Sequence, residues 1–283
     1  MTLQPTREQD LPAWLHDVPH LFIVGSPRSG TTWIHRMLLD LDGVVGGPET
    51  QFFIGFASAL HSYEFSLTQD KRAGLGWYLD YEAFLRELRR LWVIVMGPLV
   101  EQVEHPRVLI EKTPSHARFV REIHMVLPAV RFLHVIRDGR AVAASLMAAS
   151  KTWARSWAPS RAREAIRLWK RHVRAAREAR ELVGNERYLE VRYEEMLAQP
   201  LEGLRRIARF AGLDPAEEAL SPVVERHDAD AIRAGLGHAV WAGEPEGFLR
   251  TAKADAWRRD LGLWDRVQIR SHAGSFLRSL GYR

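Results

Sequence analysis

The strongest constraint on this chain is a short apolar run joined through a glycine-bounded loop to a helix. Leu21-Phe22-Ile23-Val24 contains no polar residue, which is the pattern of a strand buried on both faces. Gly25-Ser26-Pro27-Arg28-Ser29-Gly30-Thr31-Thr32 follows, and a helix is expected from Thr31 to about Leu41, stopping near Gly43. Strand, glycine loop and helix in this order make a cradle for an anion. The glycines let backbone N–H groups turn toward it, and the helix presents its positive N-terminal end. Taken alone, the loop also fits a plain strand–turn–helix with Thr31 or Thr32 as N-cap.

The rest of the chain continues in the same style. Arg107–Ile110, Arg131–Ile136 and Arg187–Val191 read as further strands, separated by helical patterns. Helices are expected from Ser115 to before Pro128, from Gly139 to Ser150, and from Leu201 to Ala211. An aromatic-rich, mostly helical stretch spans Gln51 to Met96, and a long glycine-containing loop is expected from Asp228 to Lys253. Strands alternating with helices give an α/β class, a three-layer α/β/α arrangement around a parallel sheet with a helical insertion. No linker divides the 283 residues, so a single domain over residues 1–283 is expected.

The loop spacing matches that of ATP-binding phosphate loops, but Thr31 stands where their Lys would be. That Lys reaches the β- and γ-phosphates. Its replacement argues against ATP or GTP and favours a nucleotide with a shorter 5' chain. A second anion site is marked by Arg137, at the end of the Arg131–Ile136 strand, and Ser145, on the helix that follows. A guanidinium and a hydroxyl at the C-terminal edge of a parallel sheet suit a terminal phosphate. Asp138, just before Gly139, reads as a helix N-cap rather than a metal ligand, and Arg140 as a surface residue.

Composition closes off other chemistries. There is no Cys, hence no disulfide, thiolate metal site or Cys nucleophile. No group of residues has metal-ligand spacing. The first twenty residues lack an apolar core, so no signal peptide is expected. No apolar run approaches the ~20 residues of a spanning helix. A cytoplasmic protein is the expectation. The net charge of +5 concentrates near Arg161–Arg180, where Ile166, Trp169, Val173 and Ala176 recur at helical spacing between arginines. That segment reads as a packed helix with a solvated arginine face, or as a docking face for an acidic partner. Glu164, Glu178 and the lack of stacking aromatics argue against nucleic acid.

Pro27-Arg28-Ser29-Gly30-Thr31-Thr32-Trp33 resembles the 5'-phosphosulfate loop of the sulfotransferases that use 3'-phosphoadenosine-5'-phosphosulfate (PAPS). The similarity extends from about Leu21 to Trp257. Arg28, in place of the Lys of the animal and plant cytosolic enzymes, is similar to the bacterial and tyrosylprotein branches. The resemblance implies that PAPS is the donor and PAP the product. It implies no metal and a small-molecule or carrier-bound acceptor, and it leaves oligomeric state open. It assigns Arg28, Ser29, Gly30, Thr31 and Thr32 to the phosphosulfate and Arg137 with Ser145 to the 3'-phosphate. Tyr193 and Trp33 would meet the adenine. Arg250 and Lys253 resemble the C-terminal phosphate-binding segment, although Thr251 and Ala252 depart from its cytosolic form.

On the acceptor side, Glu49 in Gly46-Gly47-Pro48-Glu49-Thr50 resembles the general base of the tyrosylprotein branch. In Glu111-Lys112-Thr113-Pro114-Ser115-His116, Pro114 takes the place of the catalytic His of the animal cytosolic branch, and His116 falls two residues later. Glu49 is therefore the first candidate for the base and His116 the second. Lys112 and Arg28 are expected to stabilise the sulfuryl oxygens, since a guanidinium cannot act as an acid. Phe52, Phe53, Phe56, Tyr63, Phe65, Trp77, Tyr78 and Tyr81 are expected mostly to pack the core, with a share in an apolar acceptor pocket. A nucleotide kinase or NTPase on the same fold, and a non-catalytic nucleotide-binding protein, are the competing readings.

Overall fold

In the computed structural model, which describes residues 7–68, 74–228 and 255–283, the run around Ile23 is the central strand of a five-stranded parallel sheet. The elements in chain order are α1 (Trp14–Asp17), β1 (His20–Gly25), α2 (Thr31–Leu39), β2 (Val44–Gly46), α3 (Phe52–Thr68), α4 (Tyr81–Val100), β3 (Val108–Glu111) and α5 (Val120–Val126). They continue with β4 (Arg131–Ile136), α6 (Gly139–Ala149), α7 (Ala162–Val183), β5 (Tyr188–Arg192), α8 (Tyr193–Ala198), α9 (Pro200–Ala211), α10 (Glu217–Arg226), α11 (Trp257–Asp260) and α12 (Leu263–Ser279). The strand order is β2-β3-β1-β4-β5.

Alternation along the strands assigns the two faces. Leu21 and Ile23 of β1, with Leu133 and Val135 of β4, pack against Ile34, Met37 and Leu38 of α2 and Leu204 and Ile207 of α9. Phe22 and Val24, with Phe132, face α3, α4, α5 and the C-terminal half of α7. There Trp92 is fully buried and lies 5.6 Å from Phe22, ring on ring. Both faces of every central strand are thus covered, which explains why their sequence is continuously apolar. A third cluster joins α6, the first half of α7, α11 and α12 beyond the sheet.

Three expectations change. A fifth strand, β2, pairs with β3 through Val44↔Val108; three residues between Gly43 and Gly47 are too short to show a period. The helix expected from Ser115 is a 3₁₀ turn over Pro114–Arg118 followed by the separate α5. The aromatic stretch divides into α3 and α4, with Phe52, Phe53 and Tyr63 buried and Phe65, Trp77 and Tyr78 exposed. The arginine-rich segment forms α7, its buried stripe holding Ile166, Trp169, Val173 and Ala176. Among the described residues no helix is long and apolar enough to cross a membrane. The loop expected from Asp228 to Lys253, and with it Arg250 and Lys253, lies outside the described residues except at Asp228.

Candidate active site

The glycine loop leaves β1 at the C-terminal edge of the sheet. Ser29 N–H donates to the Ser26 carbonyl at 3.1 Å and the buried Ser29 hydroxyl to the same oxygen at 2.7 Å. Arg28 adopts φ +72°, which is uncommon for a side-chain-bearing residue. Gly30 adopts φ +96°, and a Cβ there would lie 2.4 Å from Cδ2 of Tyr193. Glycine is therefore required by both conformation and space. No side chain caps the N-terminus of α2 that follows, so its first amides face the edge where an anion would stand.

A Lys, which the loop lacks at position 31, arrives from the neighbouring strand. β3 pairs with β1, and Lys112 follows its last residue. The Lys112 ammonium lies 3.4 Å from Thr32 Oγ1, in the first turn of α2, and 2.5 Å from Glu49 Oε1. Lys112 is buried, whereas the Glu49 side chain is 38% exposed.

Beneath that pair lies a buried network that the sequence did not announce. The Glu111 carboxylate accepts from Thr50 N–H (3.2 Å), Thr50 Oγ1 (2.9 Å), Thr113 N–H (3.1 Å), Thr113 Oγ1 (2.6 Å) and His116 Nδ1 (2.7 Å). His116 Nε2 accepts from Phe53 N–H at 3.2 Å, and Thr113 Oγ1 from Gln51 N–H at 3.2 Å. Burial alone would raise the pKa of Glu111; its pairing with His116, with the bonds from Thr113 and Thr50, outweighs it and holds the carboxyl below its usual range. One carboxylate thus fixes the end of β3, the loop carrying Glu49 and the start of α3. The expected second base, His116, is fully buried. Its Nε2 receives a backbone proton and its Nδ1 donates to Glu111, so neither nitrogen is turned to an acceptor. The sequence signal for this network is an acid closing an otherwise apolar strand, Val108-Leu109-Ile110-Glu111.

The ends of β4 and β5 supply the other half. Arg28 Nε donates to Ser145 Oγ at 3.1 Å, and Arg137 Nη1 to the Arg28 carbonyl at 3.2 Å. The Arg137 guanidinium also lies 4.1 Å above the Tyr193 ring, and that of Arg28 lies 5.2 Å from Trp153. Trp169 Nε1 donates to the Arg137 carbonyl at 3.1 Å, tying α7 to this edge. Trp33 and Tyr193 meet edge to face at 5.9 Å, in contact with each other rather than flanking a slot. Trp33 Nε1 donates to the His227 carbonyl at 3.0 Å. Asp138 caps α6 by accepting from Arg140 N–H, as its position predicts. Arg140 is not a free surface residue. It pairs with Asp138 at 2.7 Å and covers the Trp257 ring at 4.2 Å, because the C-terminal helices fold over it. Among the described residues no cluster of His, Cys, Asp and Glu could hold a metal ion.

Several solved structures share this architecture. The sulfotransferase domain of the curacin biosynthetic pathway superposes with a TM-score of 0.57 at 18% identity, covering 94% of this chain and 98% of that one. Mouse sulfotransferase SULT7A1, solved with PAP, gives 0.58 at 12% identity over 96% and 90%. Among characterised proteins, omega-hydroxy-beta-dihydromenaquinone-9 sulfotransferase Stf3 of Mycobacterium bovis is 24% identical over 248 residues. Protein-tyrosine sulfotransferase 1 of Danio rerio is 26% identical over 203 residues. The matches cover 70% of this chain and only 64% and 54% of those two relatives. The sequence profile of the sulfotransferase family matches residues 19–218, a span that holds the glycine loop, Glu49, Lys112, Arg137, Ser145 and Tyr193, and the chain belongs to that family.

Proposed function

We propose that this chain transfers the sulfuryl group of PAPS to a hydroxyl or amine of a small-molecule or carrier-bound acceptor, releasing PAP. The observation that carries the reading is Lys112, whose ammonium joins the first turn of α2 to the carboxylate of Glu49. It brings a phosphate cradle, a cation and a base together at one point of the sheet edge.

The residues present fit the donor. The uncapped N-terminus of α2, with Ser29, Gly30, Thr31 and Thr32, receives the 5'-phosphosulfate. Arg137 and Ser145 receive the 3'-phosphate. Tyr193 and Trp33 receive the adenine once their rings part. Glu49 takes the proton of the acceptor as its oxygen or nitrogen bonds to sulfur. The electron pair of the broken S–O bond leaves with the 5'-phosphate oxygen, and Lys112 with Arg28 stabilises the charge that grows there. Two side-chain cations do what a metal ion does in phosphoryl transfer. Arg28 now rests on Ser145; a 3'-phosphate taking that hydroxyl releases the guanidinium toward the sulfuryl oxygens. The donor would thereby recruit its own stabilising cation.

Thermal unfolding with PAP, ADP, AMP and ATP tests the donor assignment. PAP at a hundredfold excess over its Kd should add about 2.7 kcal/mol of stability, the other nucleotides much less. Turnover of PAPS should survive EDTA. Equal protection by ATP with Mg²⁺-dependent turnover would establish the kinase reading instead. PAP binding with no turnover against a broad acceptor library would mark a non-catalytic binder.

A further inference from the structure

One end of the molecule combines protruding apolar side chains with a dense surround of arginine. Helices α7 and α12 run parallel there. Lys170 Nζ donates to the His272 carbonyl at 3.3 Å, and one turn further Arg174 lies 5.2 Å from the Phe276 ring. The two helices therefore start at the same end. Trp169 fixes which end, because its hydrogen bond to the Arg137 carbonyl is made at the C-terminal edge of β4. The part of α7 before Trp169 projects past the edge that carries the glycine loop and Lys112. The segment joining α6 to α7 closes this end, its Ala154 and Ala158 sharing one apolar cluster with Ile166, Trp257, Leu261 and Ile269.

Outside that cluster, Leu263, Trp264 and Val267 stand out from α12, whose buried residues include Ile269, Ala273 and Leu277, and are 82%, 70% and 55% exposed. Trp157 is 47% exposed and its ring meets Trp153 at 5.8 Å. Trp153 in turn lies on the guanidinium of Arg28. Two aromatic rings therefore connect this surface with the glycine loop. Residues 150–167 and 255–270 together hold nine Lys and Arg against four Asp and Glu, an excess equal to the +5 of the whole chain. Arg155, Arg163, Arg258 and Arg259 are among the exposed ones.

We propose that this end docks on the headgroup layer of an anionic bilayer and, given the sulfuryl-transfer reading above, receives a lipid-embedded acceptor beside the active-site edge. A Trp and a Leu standing out from the surface call for an apolar medium, and the arginines call for fixed anions. A headgroup boundary supplies both within roughly 5–10 Å of depth. The indole prefers that boundary. A second copy of the chain would meet the apolar demand only by setting one arginine surround against another. An acidic soluble partner would satisfy the arginines and leave the protruding side chains without a medium.

Co-sedimentation of the full chain with phosphatidylcholine vesicles, and with vesicles containing phosphatidylglycerol, tests the proposal. Binding is expected to the anionic vesicles only and to weaken as salt is added. Leu263→Ser with Trp264→Ser should lower the vesicle affinity at least about tenfold. Arg163→Glu with Arg259→Glu should lower it by at least as much, about tenfold. These sites are exposed, so the melting temperature and circular dichroism of both variants should match the parent. A parent protein that stays in the supernatant with anionic vesicles overturns the proposal, as does unchanged binding by either variant. A dimer in sedimentation velocity that Trp264→Ser dissociates, without vesicle binding, reassigns the face to self-association. The assay contains neither donor nor acceptor, so its failure leaves the proposed chemistry standing, and failure of PAPS turnover leaves the docking result standing.

Discussion

The two halves of the sheet edge are built on opposite principles. On the β3 side, Glu111 accepts five hydrogen bonds, and Glu49 and Lys112 are held by elements locked to that one buried carboxylate. On the β4–β5 side, the polar groups borrow partners that a ligand would displace. Arg28 leans on Ser145, Arg137 covers Tyr193, and Tyr193 touches Trp33. The difference teaches where the folding energy is placed. The side assigned to proton transfer is rigid before any ligand arrives, which is what positioning a base within hydrogen-bond reach demands. The side assigned to the donor is arranged to exchange protein contacts for ligand contacts.

The largest expected effect tests the rigid half through its chemistry. Glu49→Gln keeps the shape and removes the base, and kcat with PAPS should fall by roughly 10²–10⁴, with PAP affinity by calorimetry little changed. Normal turnover in that variant would erase the distinction between the halves. Next, Glu111→Ala should destabilise the fold by about 3–5 kcal/mol in urea unfolding, because His116 and both threonines lose a buried charged partner. Glu111→Gln should recover part of this, since an amide oxygen still accepts but its NH₂ cannot receive the His116 proton. The same carboxylate predicts a pH dependence. Its folded pKa is lowered, so its contribution is complete above the ordinary carboxylate pKa and is lost as the pH falls through the folded value. Unfolding stability of the parent and Glu111→Gln, measured from neutral to acid pH, should converge on the acid side.

Smaller effects belong to the exchangeable half. Arg137→Ala should weaken PAP and PAPS alike by about 1.5–3 kcal/mol, one charge-assisted contact, while Arg28→Ala should weaken PAPS more than PAP, because PAP lacks the sulfuryl group. Equal losses of PAP and PAPS in Arg28→Ala would mean that its guanidinium stays on Ser145 in the complex. The smallest change is Trp33→Phe, which removes the hydrogen bond to the His227 carbonyl and should cost about 0.5–1.5 kcal/mol of stability.

What the sequence revealed follows the same division. The strand, glycine loop and helix, and Arg137 at a strand end before the helix that carries Ser145, were legible because each is a local pattern. The contact of Lys112 with Glu49 joins residues 63 apart and depends on β3 returning beside β1, which no local period encodes. Strand β2 was missed because three residues next to glycines carry no alternation. His116 was read from its residue type alone, and the hydrogen bonds of Phe53 and Glu111 to its two nitrogens join separate elements that no local pattern encodes. Arg140 looked like surface because the C-terminal segment that covers it lies over a hundred residues away.

The strand order has one more consequence. β2 and β3 are neighbours, and the chain between them, with α3 and α4, leaves the sheet and re-enters it through two adjacent parallel strands. Glu49 stands just past the exit, and Glu111 closes β3 at that same C-terminal edge, so Thr50 bonded to Glu111 ties the start of the excursion to the far end of the strand that ends it. A shift of α3 would therefore pull both on the turn that carries Glu49 and, through Glu111, on the strand end that carries Lys112.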